Sequence, residues 1–154
     1  LSLTIILYTL TKCIVMSQPT TTDVWKEFGE NQVTHSAAHH LLAILELVQL
    51  RGYARVIDVA RFLNITTGSA STNLKTMKQK GLVIEDENRF LSLSDNGRKI
   101  AEVILKRRTT IENFLVKVLH VAKDQAHIDA CKTEHLLSPE TTAKMESFIV
   151  KAGE

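Results

Sequence analysis

Residues 56–93 read VIDVARFLNITTGSASTNLKTMKQKGLVIEDENRFLSL. Val56 to Phe62 predicts a short helix, and Asn64-Ile65-Thr66-Thr67 a turn rich in capping residues. A further helix follows from about Gly68 to Gln79, with Leu74 and Met77 as inward anchors and Gly81 as its stop. Two strand-like runs, Leu82–Glu85 and Arg89–Leu93, flank the polar Asp86-Glu87-Asn88, which is the pattern of a β-hairpin. Upstream, helical periodicity begins near Ser36. Leu41, Leu42, Ile44, Leu45, Leu47 and Val48 make a broad apolar face there, and Arg51-Gly52 ends the helix. Helix, helix, turn, helix, hairpin is the order of a winged helix-turn-helix. In that fold the third helix enters the major groove and the hairpin touches the backbone.

The third helix opens with small hydroxyl residues. Thr66, Thr67, Gly68, Ser69, Ser71 and Thr72 permit close approach to phosphates and base edges, and threonine methyls can meet thymine methyls. Lys75, Lys78, Lys80 and Arg89 add phosphate contacts. No Arg or Gln stands in the first turn, so guanine reading is poor and part of the specificity is expected from DNA shape. Charge agrees. Residues 51–108 hold 12 Lys or Arg against 6 Asp or Glu, an excess of +6, while the remaining 7 and 11 leave −4. A basic middle with acidic flanks suits a polyanion-binding segment beside one that collects cations.

Downstream, Ser94 reads as an N-cap for a long helix from about Asn96 to Leu119, with Ile100, Val103, Ile104, Ile111, Phe114, Leu115 and Val118 apolar. Helices from about Asp124 to Leu137 and Pro139 to Lys151 follow, the latter with Ser138 as N-cap and a first-turn proline. These helices carry more apolar surface than they can bury alone, which predicts a homodimer pairing two DNA half-sites. Residues 127–135 read HIDACKTEH. His127, Cys131, Glu134 and His135 sit at i, i+4, i+7 and i+8, one face of a continuous helix. Imidazole, thiolate and carboxylate converging there are a donor set for a first-row divalent metal.

The 154 residues allow one ordinary domain or two small ones, with 44% hydrophobic residues and 5% aromatics. That is globular composition with an aliphatic, mainly α core. Two cysteines, Cys13 and Cys131, exclude a disulfide scaffold and point to a reducing compartment. The opening LSLTIILYTLTKCIV is interrupted by Thr, Tyr and Lys12, and is shorter than the ~20 residues of a membrane span. It also lacks a basic leader and an A-x-A-like site. The expectation is that Met16 is the start and that residues 1–15 are not native; a weak membrane-association or packing segment is the second reading. The expected organisation is a tail over 1–33, a winged helix-turn-helix over 34–95, and a helical metal-binding and dimerisation domain over 96–154.

Three motifs, Gly52-Tyr53-Ala54-Arg55-Val56, LSLSDNGRKIAE over 91–102, and Cys131-x-x-Glu134-His135 with His127 upstream, carry a resemblance. The chain from about Ser36 to Ile149 resembles the diphtheria toxin repressor and manganese transport regulator family, in its short two-domain form. The resemblance implies a cytoplasmic dimer that binds double-stranded operator DNA when loaded with iron(II) or manganese(II) and represses metal-uptake genes. It implies no membrane and no small-molecule substrate. It assigns the primary metal site to Cys131, Glu134, His135 and a ligand from the first helix. Counted back from Gly52, that ligand is His39, one turn from His35; His40 faces another way. A second first-helix ligand of manganese members falls on Leu42, which cannot ligate.

The ancillary site implied by the family falls on Arg108, Glu112 and His127. Arg108 departs from the pattern, because a permanent guanidinium cannot ligate a metal. Its i, i+4 spacing permits a hydrogen bond to Glu112, and the Arg108 charge is expected to stand in for an ancillary cation, leaving one metal per protomer. A site of His39, Cys131, Glu134 and His135 is softer than an all-carboxylate one, so zinc(II) and cobalt(II) are expected to bind in vitro beside iron(II) and manganese(II). An alternative is a winged-helix regulator that ignores metal or senses oxidation through Cys131. An enzyme is not expected: there is no H-E-x-x-H element, nucleophile elbow or Gly-rich phosphate loop.

Overall fold

The structure, a computed structural model, describes residues 33–152. The expected tail and the Met16 start fall outside them. Helix α1 spans His35–Arg51, with Thr34 as N-cap accepting from the Ala37 amide. Its Ala38, Leu41, Leu42, Ala43, Ile44, Leu45 and Leu47 are all buried. So many apolar positions on all sides make α1 a hub rather than a surface helix. Gly52 ends it at φ 79°, its N–H returning to the Val48 carbonyl.

Helix α2 spans Val56–Phe62, and Asp58 reaches back to the Arg55 amide at 3.1 Å. Helix α3 spans Thr67–Gln79, and its N-cap Thr66 accepts from the Ser69 amide. Ala70, Leu74 and Met77 form its buried edge, as the spacing of the two expected anchors requires. The hairpin is shorter than its apolar runs. Strand β1 is Val83–Glu85 and β2 is Leu91–Leu93, antiparallel with Ile84 opposite Ser92. Arg89 adopts φ 65°, and the Asp86 carboxylate accepts from the amides of Asn88 and Phe90. This turn consumes Arg89 and Phe90, which the sequence pattern assigns to the strand.

Helix α4 spans Asp95–Lys117 and opens at the expected N-cap, Ser94, which accepts from the Gly97 amide at 3.0 Å. The same hydroxyl lies 2.7 Å from the Gly81 carbonyl and donates to it. Gly97 is buried, and a Cβ there would meet the Leu82 carbonyl oxygen at 2.0 Å. The hairpin therefore joins α4 through a backbone contact that only glycine permits. Helix α5 spans Lys123–Thr133 and α6 spans Pro139–Ala152, with the Thr141 amide donating to Ser138. Helix α5 stops four residues before the expected end at Leu137. The amides of Leu136 and Leu137 both turn back to the Thr133 carbonyl, so Glu134 and His135 leave the helix in a turn. Helix α4 packs against α1, α5 and α6, and α1 packs against α2, α3 and β2.

Candidate metal centre and nucleic-acid interface

One turn apart on α1, His35 and His39 face each other, with Nε2 atoms 3.1 Å apart and rings edge to face. The Cys131 Sγ, from the last turn of α5, lies 3.3 Å from His39 Nε2. The donor atoms of His35, His39 and Cys131 all lie within 4.8 Å of one another. They come from segments 92 residues apart in sequence, so α1 and α5 meet at three potential ligands.

The protonation states suit ligation by the imidazoles. Burial lowers the His39 pKa, helped by the charges of His35 and Arg108. Burial likewise lowers that of His135, followed by His35. Both shifts favour the neutral ring, which keeps a lone pair for a metal. Burial pushes the Cys131 thiol up, against a downward pull from Arg108. The thiol therefore gives up a proton when it ligates.

Glu134 and His135 stand outside the close set. The Glu134 side chain is fully buried, and Arg108 donates to both its oxygens, Nε to Oε2 at 2.5 Å and Nη2 to Oε1 at 3.0 Å. The His135 ring packs 4.8 Å from that of His35, and its buried Nδ1 has no hydrogen-bond partner among the described residues. The Arg108–Glu112 bond that the spacing permits does not form. Glu112 pairs with His127, whose Nδ1 is 3.2 Å away, and Arg108 turns to Glu134. The i, i+4 rule concerns exposed helix faces, whereas a buried carboxylate demands a charged partner. Arg108, Glu112 and His127 thus resolve into two separate contacts, Arg108 with Glu134 and His127 with Glu112. His35 carries no role in the sequence reading; its i−4 spacing from His39 is the signal that could have found it. Buried Leu42 faces the core, and His40 Nδ1 contacts the Ser36 carbonyl on another side of α1.

Thr66, Thr67, Gly68, Ser69, Ser71, Thr72, Lys75 and Arg89 are all exposed. Of the expected phosphate contacts, Lys78 is engaged by Glu85, which also lies 3.4 Å from Arg89 Nη1. Lys75 and Lys80 stay exposed. Midway along α3, Asn73 accepts from Ser36 Oγ at 3.4 Å, linking the first turn of α1 to this helix.

Residues 94–152 match the family described as "Iron dependent repressor, metal binding and dimerisation domain". Over 97 residues the chain is 30% identical to an uncharacterised HTH-type transcriptional regulator of Methanocaldococcus jannaschii, covering 63% of this chain and 78% of that protein. The chain belongs to the diphtheria toxin repressor and manganese transport regulator family. It is also 29% identical over 105 residues to the HTH-type transcriptional regulator MntR of Lysinibacillus sphaericus, covering 68% of this chain and 75% of that protein. The crystal structure of T. acidophilum IdeR superposes with a TM-score of 0.65 at 24% identity, over 76% of this chain and 55% of that one. The chain therefore spans about half the length of that solved relative. Members of this family are metal-dependent transcriptional regulators with a winged helix-turn-helix and a helical dimerisation domain. In this chain Arg108 is committed to Glu134.

Proposed function

We propose that this protein is a metal-activated, DNA-binding repressor of metal-uptake genes, loaded with iron(II) or manganese(II) and working as a cytoplasmic homodimer. The observation that carries the reading is the 3.3 Å approach of His39 on α1 to Cys131 on α5. His39 lies on the helix that supports α3, and Cys131 on a helix packed against α4. A divalent ion held by this pair, with Glu134 and His135 beside it, would tie the DNA-reading segment (34–95) to the dimer segment (96–154). The ion supplies a Lewis-acid cross-link.

The chain's own residues supply the rest. The Ser36–Asn73 contact couples the first turn of α1 to α3, so ordering around His35 and His39 is felt by the groove-reading helix. The exposed Thr66, Thr67, Gly68, Ser69, Ser71 and Thr72 face DNA, and Lys75 and Arg89 bind phosphate. Val103 and Leu105 on α4 and Phe148 and Val150 on α6 are each more than 40% exposed, an apolar surface that suits a second copy. Metal and DNA affinities are then reciprocally coupled, typically by ~1–3 kcal/mol. Zinc(II) and cobalt(II) are expected to load the site in vitro.

A thiol-redox reading is weaker, because thiolate is the reactive form and burial disfavours it at Cys131. The test is an anaerobic DNA-binding titration against chelator, iron(II), manganese(II) and zinc(II), using genomic fragments selected with metal present. Binding that appears with metal and vanishes with chelator supports the proposal. Binding that ignores both but responds to peroxide sinks it.

A further inference from the structure

We propose that His35 is the third protein ligand, and that Arg108 withholds Glu134 from the ion, so that the centre is a nitrogen–nitrogen–sulfur site. This rests on the metal-regulator reading above. Metal–nitrogen bonds of about 2.0–2.1 Å and a metal–sulfur bond of about 2.3 Å place neighbouring donors about 2.9–3.4 Å apart for two nitrogens and about 3.1–3.6 Å for nitrogen and sulfur. The His35–His39 and His39–Cys131 separations, 3.1 and 3.3 Å, fall inside both ranges. The remaining edge, within 4.8 Å, closes by rotation of the exposed His35 ring.

Glu134 is held differently. Each of its oxygens already accepts a charge-assisted hydrogen bond from a cation that cannot deprotonate. To ligate, it must surrender at least one bond and leave the largely buried Arg108 guanidinium short of its partner. No equivalent cost applies to His35, which forms no ion pair among the described residues and whose Nε2 lies 3.1 Å from that of His39. Carboxylate oxygen is the donor that suits manganese(II), whereas imidazole and thiolate suit zinc(II), cobalt(II) and iron(II). Withholding Glu134 therefore weakens manganese(II) selectively.

The experiment is anaerobic titration of the full chain with cobalt(II), following the thiolate-to-cobalt charge-transfer band and the visible d–d bands, with zinc(II) and manganese(II) as competitors. His35→Ala is expected to weaken cobalt(II) by at least ~10-fold and to alter the d–d bands, since loss of outer-shell partners alone costs 10–100-fold. Glu134→Gln is expected to cost cobalt(II) less than ~10-fold and to leave the d–d bands in place. Arg108→Gln, which frees the carboxylate, is expected to raise manganese(II) affinity ~10-fold or more. Circular dichroism verifies that each variant is folded, and extended X-ray absorption of the zinc-loaded parent gives an independent nitrogen and sulfur count. A silent His35→Ala, or a Glu134→Gln that loses ~10-fold or more, overturns the ligand assignment but leaves the metal reading standing. Absence of any thiolate-to-cobalt band in the parent removes the metal reading itself.

Discussion

Arg108 and Glu134 form a two-point ion pair between α4 and the turn after α5, with the carboxylate fully buried and the guanidinium side chain 16% exposed. Removing one member strands the other. Arg108→Ala should destabilise the chain by ~3–5 kcal/mol, the range for breaking a buried pair. Replacing both, as Arg108→Met with Glu134→Leu, should recover most of that loss. Urea unfolding of the two variants checks this, and an Arg108→Ala chain as stable as the parent would show that Glu134 has another partner.

Gly97→Ala should be among the most damaging single-methyl additions. The new carbon would sit 2.0 Å from a backbone carbonyl oxygen, which cannot rotate away. The α4 N-terminus must then separate from the hairpin, breaking the Ser94 contacts to Gly81 and Leu82. Overpacking costs typically ~1–3 kcal/mol and more where backbone must move. Thermal unfolding is the measurement, with Gly68→Ala as a control, since no described residue lies within 4 Å of that added carbon.

Cys131→Ala should abolish metal-stimulated DNA binding while leaving the fold intact. The thiol is only partly buried, and its polar contact is to His39. Chelator-treated parent and variant should bind DNA equally weakly. Full metal stimulation in the variant would place the ion elsewhere.

Metal uptake should release a proton. Burial lowers the His39 pKa, so this ligand contributes little to the proton count near pH 7. The Cys131 thiol is raised by burial and enters protonated, so it contributes one. Apparent affinity should therefore climb about tenfold per pH unit through the neutral range, flattening only above the raised thiol pKa. Calorimetry in buffers of different ionisation enthalpy counts the proton directly.

Much of this architecture is legible in the residues. Gly52 and Gly81 end their helices, Ser94 caps α4, and Leu74 and Met77 point inward, because each depends on local backbone chemistry or on a 3.6-residue period. Arg89 and Phe90 read as strand because the pattern registers apolarity, while the Asp86 carboxylate decides the turn. The ligand stripe is the larger departure. His127, Cys131, Glu134 and His135 share a face only if the helix continues, and it stops at Thr133. The pairing of Arg108 with Glu134 spans 26 residues and is settled by burial, which no spacing rule contains. Equally, no local signal brings His39 to Cys131.

The most direct measurement is the X-ray absorption spectrum of the metal-loaded chain before and after Cys131→Ala. The account predicts one metal–sulfur distance of about 2.3 Å in the parent, joined by imidazole nitrogen, and loss of the sulfur in the variant. A shell of oxygen and nitrogen alone, identical in both proteins, would contradict it.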